Sequence, residues 1–141
     1  MEIVSSKMKN LEIVSASLKD ILRKYPEARD LVNPDDSGME EVIGHMEESH
    51  RYIKVRLALY DGNPVGWSWC FYKRHYYSNY FDSSSICIWA FTKLRFRRKG
   101  IATNLSLPFI EYQKKQRKAL IVMPFDTKGM RFFNSLGVKS L

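Results

Sequence analysis

Cysteine, histidine and acidic residues are scarce in this chain, and it has no long apolar run. Only two cysteines occur in 141 residues. Cys70 and Cys87 each lie inside an apolar, strand-like segment, with neither a CxxC pair nor a histidine at ligand spacing. Both are read as buried thiols, which sets disulfide and metal roles aside. Of the three histidines, His45 and His50 sit five positions apart on one expected helix. Roughly 500° of rotation separates them, so they do not share a face as an i, i+4 metal pair does. No metal site is expected. No apolar stretch approaches the roughly 20 residues of a membrane span, and Met1 to Lys7 lacks the apolar core of a signal peptide. The expectation is a cytoplasmic protein without membrane association.

The shortage of acid is itself informative. Fifteen Asp and Glu face 23 Lys and Arg, a net charge of +8, and the isoelectric point is near 9.5. Such a balance favours an anionic partner: a nucleotide cofactor, an acidic protein surface or nucleic acid. The cations cluster. Lys93, Arg95, Arg97, Arg98 and Lys99 precede one expected helix, and Lys114, Lys115, Arg117 and Lys118 end it. The second group suits the negative end of the helix dipole. A content of 45% hydrophobic and 13% aromatic residues supports one well-buried core, and the length suits a single domain over residues 1–141.

Taken in order, residues 1 to 14 contain a short first strand, around either Ile3-Val4 or Leu11 to Val14. Ser15 or Ser17 caps a helix through Leu18, Ile21 and Leu22 that ends at Tyr25-Pro26. Asn33 to Gly38 is a turn cluster, and a second helix runs from about Met39 to His50. Tyr52 to Tyr60 alternates as a strand, Asp61-Gly62-Asn63-Pro64 supplies a tight turn, and Val65 to Tyr72 completes a hairpin. Lys73 to Ser85 is an unusually aromatic connection with Tyr76, Tyr77, Tyr80 and Phe81. Three roles stay open for it: packing, contact with an acceptor substrate, or stacking on single-stranded bases.

The stretch from Ile86 to Gln116 organises the rest. Ile86 to Phe91 reads as a buried strand and Thr103 to Lys118 as a helix. Leu105, Phe109, Ile110 and Tyr112 turn toward the core, and Pro108 is expected to kink or restart the helix. Between strand and helix lies Arg97-Arg98-Lys99-Gly100-Ile101-Ala102. A strand that passes through a glycine into a helix start leaves backbone N–H groups unpaired and pointing one way, backed by the positive end of the dipole. With three cations beside it, this is a phosphate site in design. Ala119 to Met123 follows as a short strand parallel to the first, giving a strand–helix–strand unit with a right-handed crossover. A last helix starts at Asp126 and ends at Gly137.

Arg97-x-x-Gly100-x-Ala102 resembles the Gln/Arg-x-x-Gly-x-Gly/Ala loop of the GNAT N-acetyltransferase superfamily. Leu57 to Gly66 is similar to that family's second and third strands, and Asp126 to Val138 resembles its Asn-x-x-Ala-x-x-Phe-Tyr-x-x-x-Gly-Phe helix. The resemblance implies an α/β (α+β) GNAT fold: a central mixed, mostly antiparallel sheet flanked by helices. The family normally adds two strands after the last helix, and here four residues follow Gly137. The C-terminal strands are thus expected to be shortened or missing. The acceptor side is then open, filled by a partner subunit in a homodimer, or lined by the N-terminal segment.

By the same resemblance, acetyl-CoA is the co-substrate, held by Ala90, Phe91, Thr92, Arg97, Arg98, Lys99, Gly100, Ile101, Ala102, Thr103, Asp126 and Phe133. The implied reaction is direct attack of a primary amine on the thioester in a ternary complex, the amine being a lysine side chain, a protein N-terminus or a small molecule. The Thr92 N–H would donate to the developing oxyanion. The family's tyrosine acid aligns with Phe133 and its glutamate base with Ile86, so neither carries over. Asp82, Tyr80 and His75 stand close enough in sequence to substitute, and His45 falls on a helix that borders the acceptor pocket in the family. The alternative is a non-catalytic protein of the same fold that uses its basic, aromatic surface on nucleic acid or an acidic protein.

Overall fold

The computed structural model describes residues 2–5, 9–32, 53–72, 85–116, 119–122, 132, 135 and 136. Six strands form one sheet: β1 (Glu2–Ser5), β2 (Leu11–Ser17), β3 (Ile53–Tyr60), β4 (Asn63–Tyr72), β5 (Ser85–Thr92) and β6 (Ala119–Val122). Their spatial order is their chain order. The first four pairings are antiparallel, and β6 alone runs parallel to its neighbour, β5. A parallel neighbour requires a crossover, and α2 (Ile101–Gln116) supplies it. Both segments proposed for the first strand are strands, paired from Glu2↔Ser15 to Ser5↔Glu12.

Alternation along β3 explains the two cores. Ile53, Val55, Leu57 and Leu59 pack on one face together with Val14, Trp67 and Trp69. Residues 18–24 form α1 (Leu18–Lys24) over that face, and a 3-10 turn (Pro26–Asp30) follows. Ser17 caps α1 by accepting from the Asp20 N–H at 3.3 Å. Trp67 crosses from the sheet to donate its Nε1 hydrogen to the Leu31 carbonyl at 2.8 Å. On the opposite face, Ile13, Ala58, Ile101, Leu105 and Phe96 form a second buried cluster under α2.

The β3–β4 turn is tighter than the four-residue turn read from sequence. Asp61 and Gly62 both have positive φ, 50° and 81°, as a two-residue hairpin of the I′ kind requires. Asn63 and Pro64 therefore belong to β4. The register slips there: Ala58 pairs with Gly66 but Leu59 with Pro64, leaving Val65 as the extra residue. Proline has no N–H for the ladder, so a bulge beside it is the natural accommodation.

Three expectations for α2 need correction. The helix begins at Ile101, directly after Gly100, and continues through Pro108 to Gln116 as one element, so it does not restart at the proline. The Asn104 carbonyl that loses its helical donor to Pro108 instead accepts from Arg56 Nη2 at 3.2 Å, and the Leu105 carbonyl accepts from Arg56 Nε at 3.1 Å. Leu105, Phe109 and Ile110 are buried as expected, but Tyr112 is exposed. The turn cluster at 33–38, the helix at 39–50, the aromatic connection at 73–84 and most of the last helix lie outside the described residues.

Candidate active site at the β5–α2 junction

Three short pieces build the junction. Thr92 ends β5, a 3-10 turn (Leu94–Phe96) drops Phe96 into the core beneath α2, and Arg97 to Gly100 lead into the helix. Phe96 is the anchor. Buried between Tyr60, at a ring separation of 5.3 Å, and the start of the helix, it holds the loop's root while the cations around it stay in water. Lys93, Arg95, Arg97, Arg98 and Lys99 are all exposed.

The loop backbone is unusual at two points. Arg98 has φ 62° and Gly100 φ 77°. The left-handed region is routine for glycine and disfavoured for arginine, and such strain collects at functional sites. A Cβ built on Gly100 meets no atom of the described residues within 4 Å, so among them the space over the backbone is open. The Asn104 N–H bonds back to the Gly100 carbonyl at 3.0 Å. By helix geometry, the amides of Ile101, Ala102 and Thr103 then have no partner inside the helix. Three donors at the positive end of a 16-residue helix, under open space and beside Arg98 and Lys99, can cradle a phosphate-sized anion.

The edge of β5 adds a second set of donors. Lys93 donates its N–H to the Val65 carbonyl at 2.9 Å. In an antiparallel ladder the direction alternates, so Phe91 and Trp89 also face β4, and the amides of Ala90 and Thr92 face away from it. On that far side, pairing with β6 runs from Ser85↔Ala119 to Ile88↔Val122 and, among the described residues, goes no further. Thr92's carbonyl on this edge accepts from Arg97 Nε at 2.8 Å, and the Arg97 guanidinium lies 5.5 Å from the centre of the Phe91 ring. Arg97 thus ties the loop to the strand end. The Thr92 hydroxyl is buried and finds no hydrogen-bond partner among the described residues. Gly66 makes room for it: a Cβ there would stand 3.0 Å from Thr92 Oγ1 and 3.2 Å from the Phe91 carbonyl oxygen.

The junction therefore brings together Ala90, Phe91, Thr92, Arg97, Arg98, Lys99, Gly100, Ile101, Ala102 and Thr103. Asp82, Tyr80, His75, His45, Asp126 and Phe133 lie outside the described residues. Sequence reasoning assigned no role to Gly66 or Arg56. A glycine inside an apolar strand signals close backbone approach, and an arginine on the face that α2 covers signals a hydrogen-bond acceptor on the element above it.

No family profile matches the sequence, and no curated protein matches it. Solved structures do. An aminoglycoside N-acetyltransferase in complex with CoA aligns over 97% of this chain and 93% of its own, at 20% identity and a TM-score of 0.63. A ribosomal-protein-alanine N-acetyltransferase from Brucella melitensis biovar Abortus covers 92% of this chain and 93% of its own, at 16% identity and a TM-score of 0.57. Glucosamine-6-phosphate N-acetyltransferase from Arabidopsis thaliana covers 94% of each chain, at 12% identity and a TM-score of 0.60. This chain has the GNAT fold. Within the GNAT fold, the Arg97-x-x-Gly100-x-Ala102 segment occupies the junction between a strand that carries the sheet's turn to parallel pairing and the helix that makes the crossover.

Proposed function

We propose that the protein is an acetyl-CoA-dependent N-acetyltransferase acting on a primary amine by direct attack in a ternary complex. The observation that carries this reading is the junction itself: Gly100 at φ 77° under open space, opening directly into α2. The residues present fit the cofactor. The amides of Ile101, Ala102 and Thr103 would take the pyrophosphate, with Arg98 and Lys99 adding charge. The amides of Ala90 and Thr92, directed away from β4, would pair with the extended pantetheine arm. Bound acetyl-CoA supplies an activated acetyl thioester.

The chain's own part in the chemistry is then specific. The Thr92 N–H donates to the carbonyl oxygen as negative charge develops there, a contribution typically worth about 3 kcal/mol of barrier when a single such donor is removed. Phe91 and Arg97 hold that amide in place through the ring contact and the bond to the Thr92 carbonyl. Asp126 and Phe133 are assigned to the cofactor, and Asp82, Tyr80 and His75 to proton transfer, by their places in the sequence. The structural neighbours act on acceptors as different as an aminoglycoside, a ribosomal protein and a sugar phosphate by their names, so the acceptor here is proposed only as a primary amine.

Acetyl-CoA should raise the melting temperature of the wild-type chain. At a ligand concentration of about 100 Kd the gain is about 2.7 kcal/mol, several degrees for a domain of this size. Gly100→Glu places a carboxylate in the open space and should abolish the shift, and an unshifted wild type would exclude the cofactor role. The exposed cations from Lys93 to Lys99 favour a second reading, a non-catalytic binder of nucleic acid or an acidic protein. Transfer of label from acetyl-CoA to an amine in a panel of acceptors separates the two.

A further inference from the structure

A proline in the middle of a helix divides it mechanically. Pro108 removes the donor that the Asn104 carbonyl needs and crowds that carbonyl with its ring, so the turns before it can tilt against the turns after it. In α2 the first half, residues 101 to 107, holds the amides assigned to the phosphates. Burial of Ile101 and Leu105 holds that half against the sheet, and a polar seam fixes its orientation.

Arg56 lies on the face of β3 covered by α2, between Ser15 on β2 and Ser68 on β4. Its guanidinium spans two helix carbonyls, Nη2 to Asn104 at 3.2 Å and Nε to Leu105 at 3.1 Å. The next helix residue, Ser106, donates its hydroxyl to Ser68 Oγ at 3.1 Å, with both serines fully buried. Three consecutive residues of α2 are therefore bonded to the sheet by side chains, one turn from Ile101, Ala102 and Thr103. A guanidinium is the one side chain whose fixed fork can satisfy two adjacent carbonyls at once.

We propose that Arg56 is a positioning residue for the anion-binding end of α2, replacing the donor that Pro108 takes away and holding the first helical turn in register with the edge of β5. The inference rests on the reading that this turn binds the phosphates of CoA. It makes Arg56 and Pro108 a coupled pair, the cation necessary because the proline is there.

The test is a double-mutant cycle in the full chain, with CoA as the probe and affinity read by calorimetry. Arg56→Ala should weaken CoA binding about tenfold. Arg56→Lys keeps the charge but not the fork, so it should lose about threefold, and it serves if the alanine variant does not fold. Adding Pro108→Ala to Arg56→Ala returns a backbone N–H to the Asn104 carbonyl and should recover affinity to within about threefold of wild type. Unchanged CoA affinity in a folded Arg56→Ala with a lowered melting temperature overturns the proposal, because the residue is then structural only. A loss that Pro108→Ala leaves intact also overturns it, since Arg56 would be acting through its charge. Failure of the wild type itself to bind CoA removes the reading of the site, and the positioning role with it.

Discussion

Cys70 shows how a single side chain carries the cost of its surroundings. It sits on β4 opposite Lys54 and Ile88, with 9% of its surface exposed. Burial pushes its thiol up from 9.0 to about 12, and the Lys54 ammonium offsets part of that rise. The unfolded thiol releases its proton near 9.0, while the folded one keeps it to about 12. The thiol's contribution to stability is thus intact below about pH 9 and is lost as pH rises toward 12. In urea titrations the stability advantage of wild type over Cys70→Ala should shrink between about pH 8 and about pH 10.5. A constant difference across that range would mean that the thiol is solvated. Cys70 was legible as a buried thiol from the apolar run around it. Gly66 was not legible as a spacer, because only the pairing of β4 with β5 reveals what a Cβ would strike.

At the scale of elements, α1 and the 3-10 turn after it are held to the sheet by the burial of Leu18, Ile21, Ala28 and Leu31 and by a bond from Trp67. The α1 helix has seven residues, too few to persist alone. Its Ser17 cap adds about 1 kcal/mol, and its exposed Arg23–Asp20 pair at 3.0 Å adds little. Trp67, fully buried and edge-on to Trp69 at 4.9 Å, fixes the far end of this segment through the Leu31 carbonyl. Trp67→Phe keeps an aromatic ring and removes that donor. Unfolding stability should fall by about 1–3 kcal/mol, read as a lower urea midpoint with the slope unchanged. A midpoint within error of wild type would show that the indole bond contributes nothing. Element types were readable because β3 alternates and α2 places Leu105, Phe109 and Ile110 on one stripe. Element limits were less so. Proline signalled a break in α2 and a turn at Pro64, yet neighbours elsewhere in the fold supply what proline lacks.

For the whole molecule, the distribution of charge matters more than its total. The net charge of +8 is widely spread, but five of the cations stand exposed within seven residues beside the open helix end. Exposed charges are screened within about 8–10 Å in physiological salt. CoA affinity should therefore weaken severalfold as NaCl rises from about 50 mM to about 500 mM. An affinity indifferent to salt would place the phosphates away from Arg98 and Lys99. No described helix is long and apolar enough to cross a membrane. Among the described residues, no group of three or more His, Cys, Asp or Glu side chains is placed to hold a metal ion.

Local pattern by itself determined the two-sided alternation of β3, the helix after Gly100, the parallel strand after that helix and the cation cluster at the junction. Those depend on residues close together in the chain, where the period of apolar side chains and the conformational freedom of glycine act directly. Tertiary structure alone decided that Arg97 turns back to the Thr92 carbonyl, that Gly66 clears space for Thr92, and that Arg56 takes up the Asn104 carbonyl freed by Pro108. Each of these is a hydrogen bond or a close contact between segments far apart in sequence or folded back on themselves. Their partners become known only once the sheet has set which strands are neighbours and in what register.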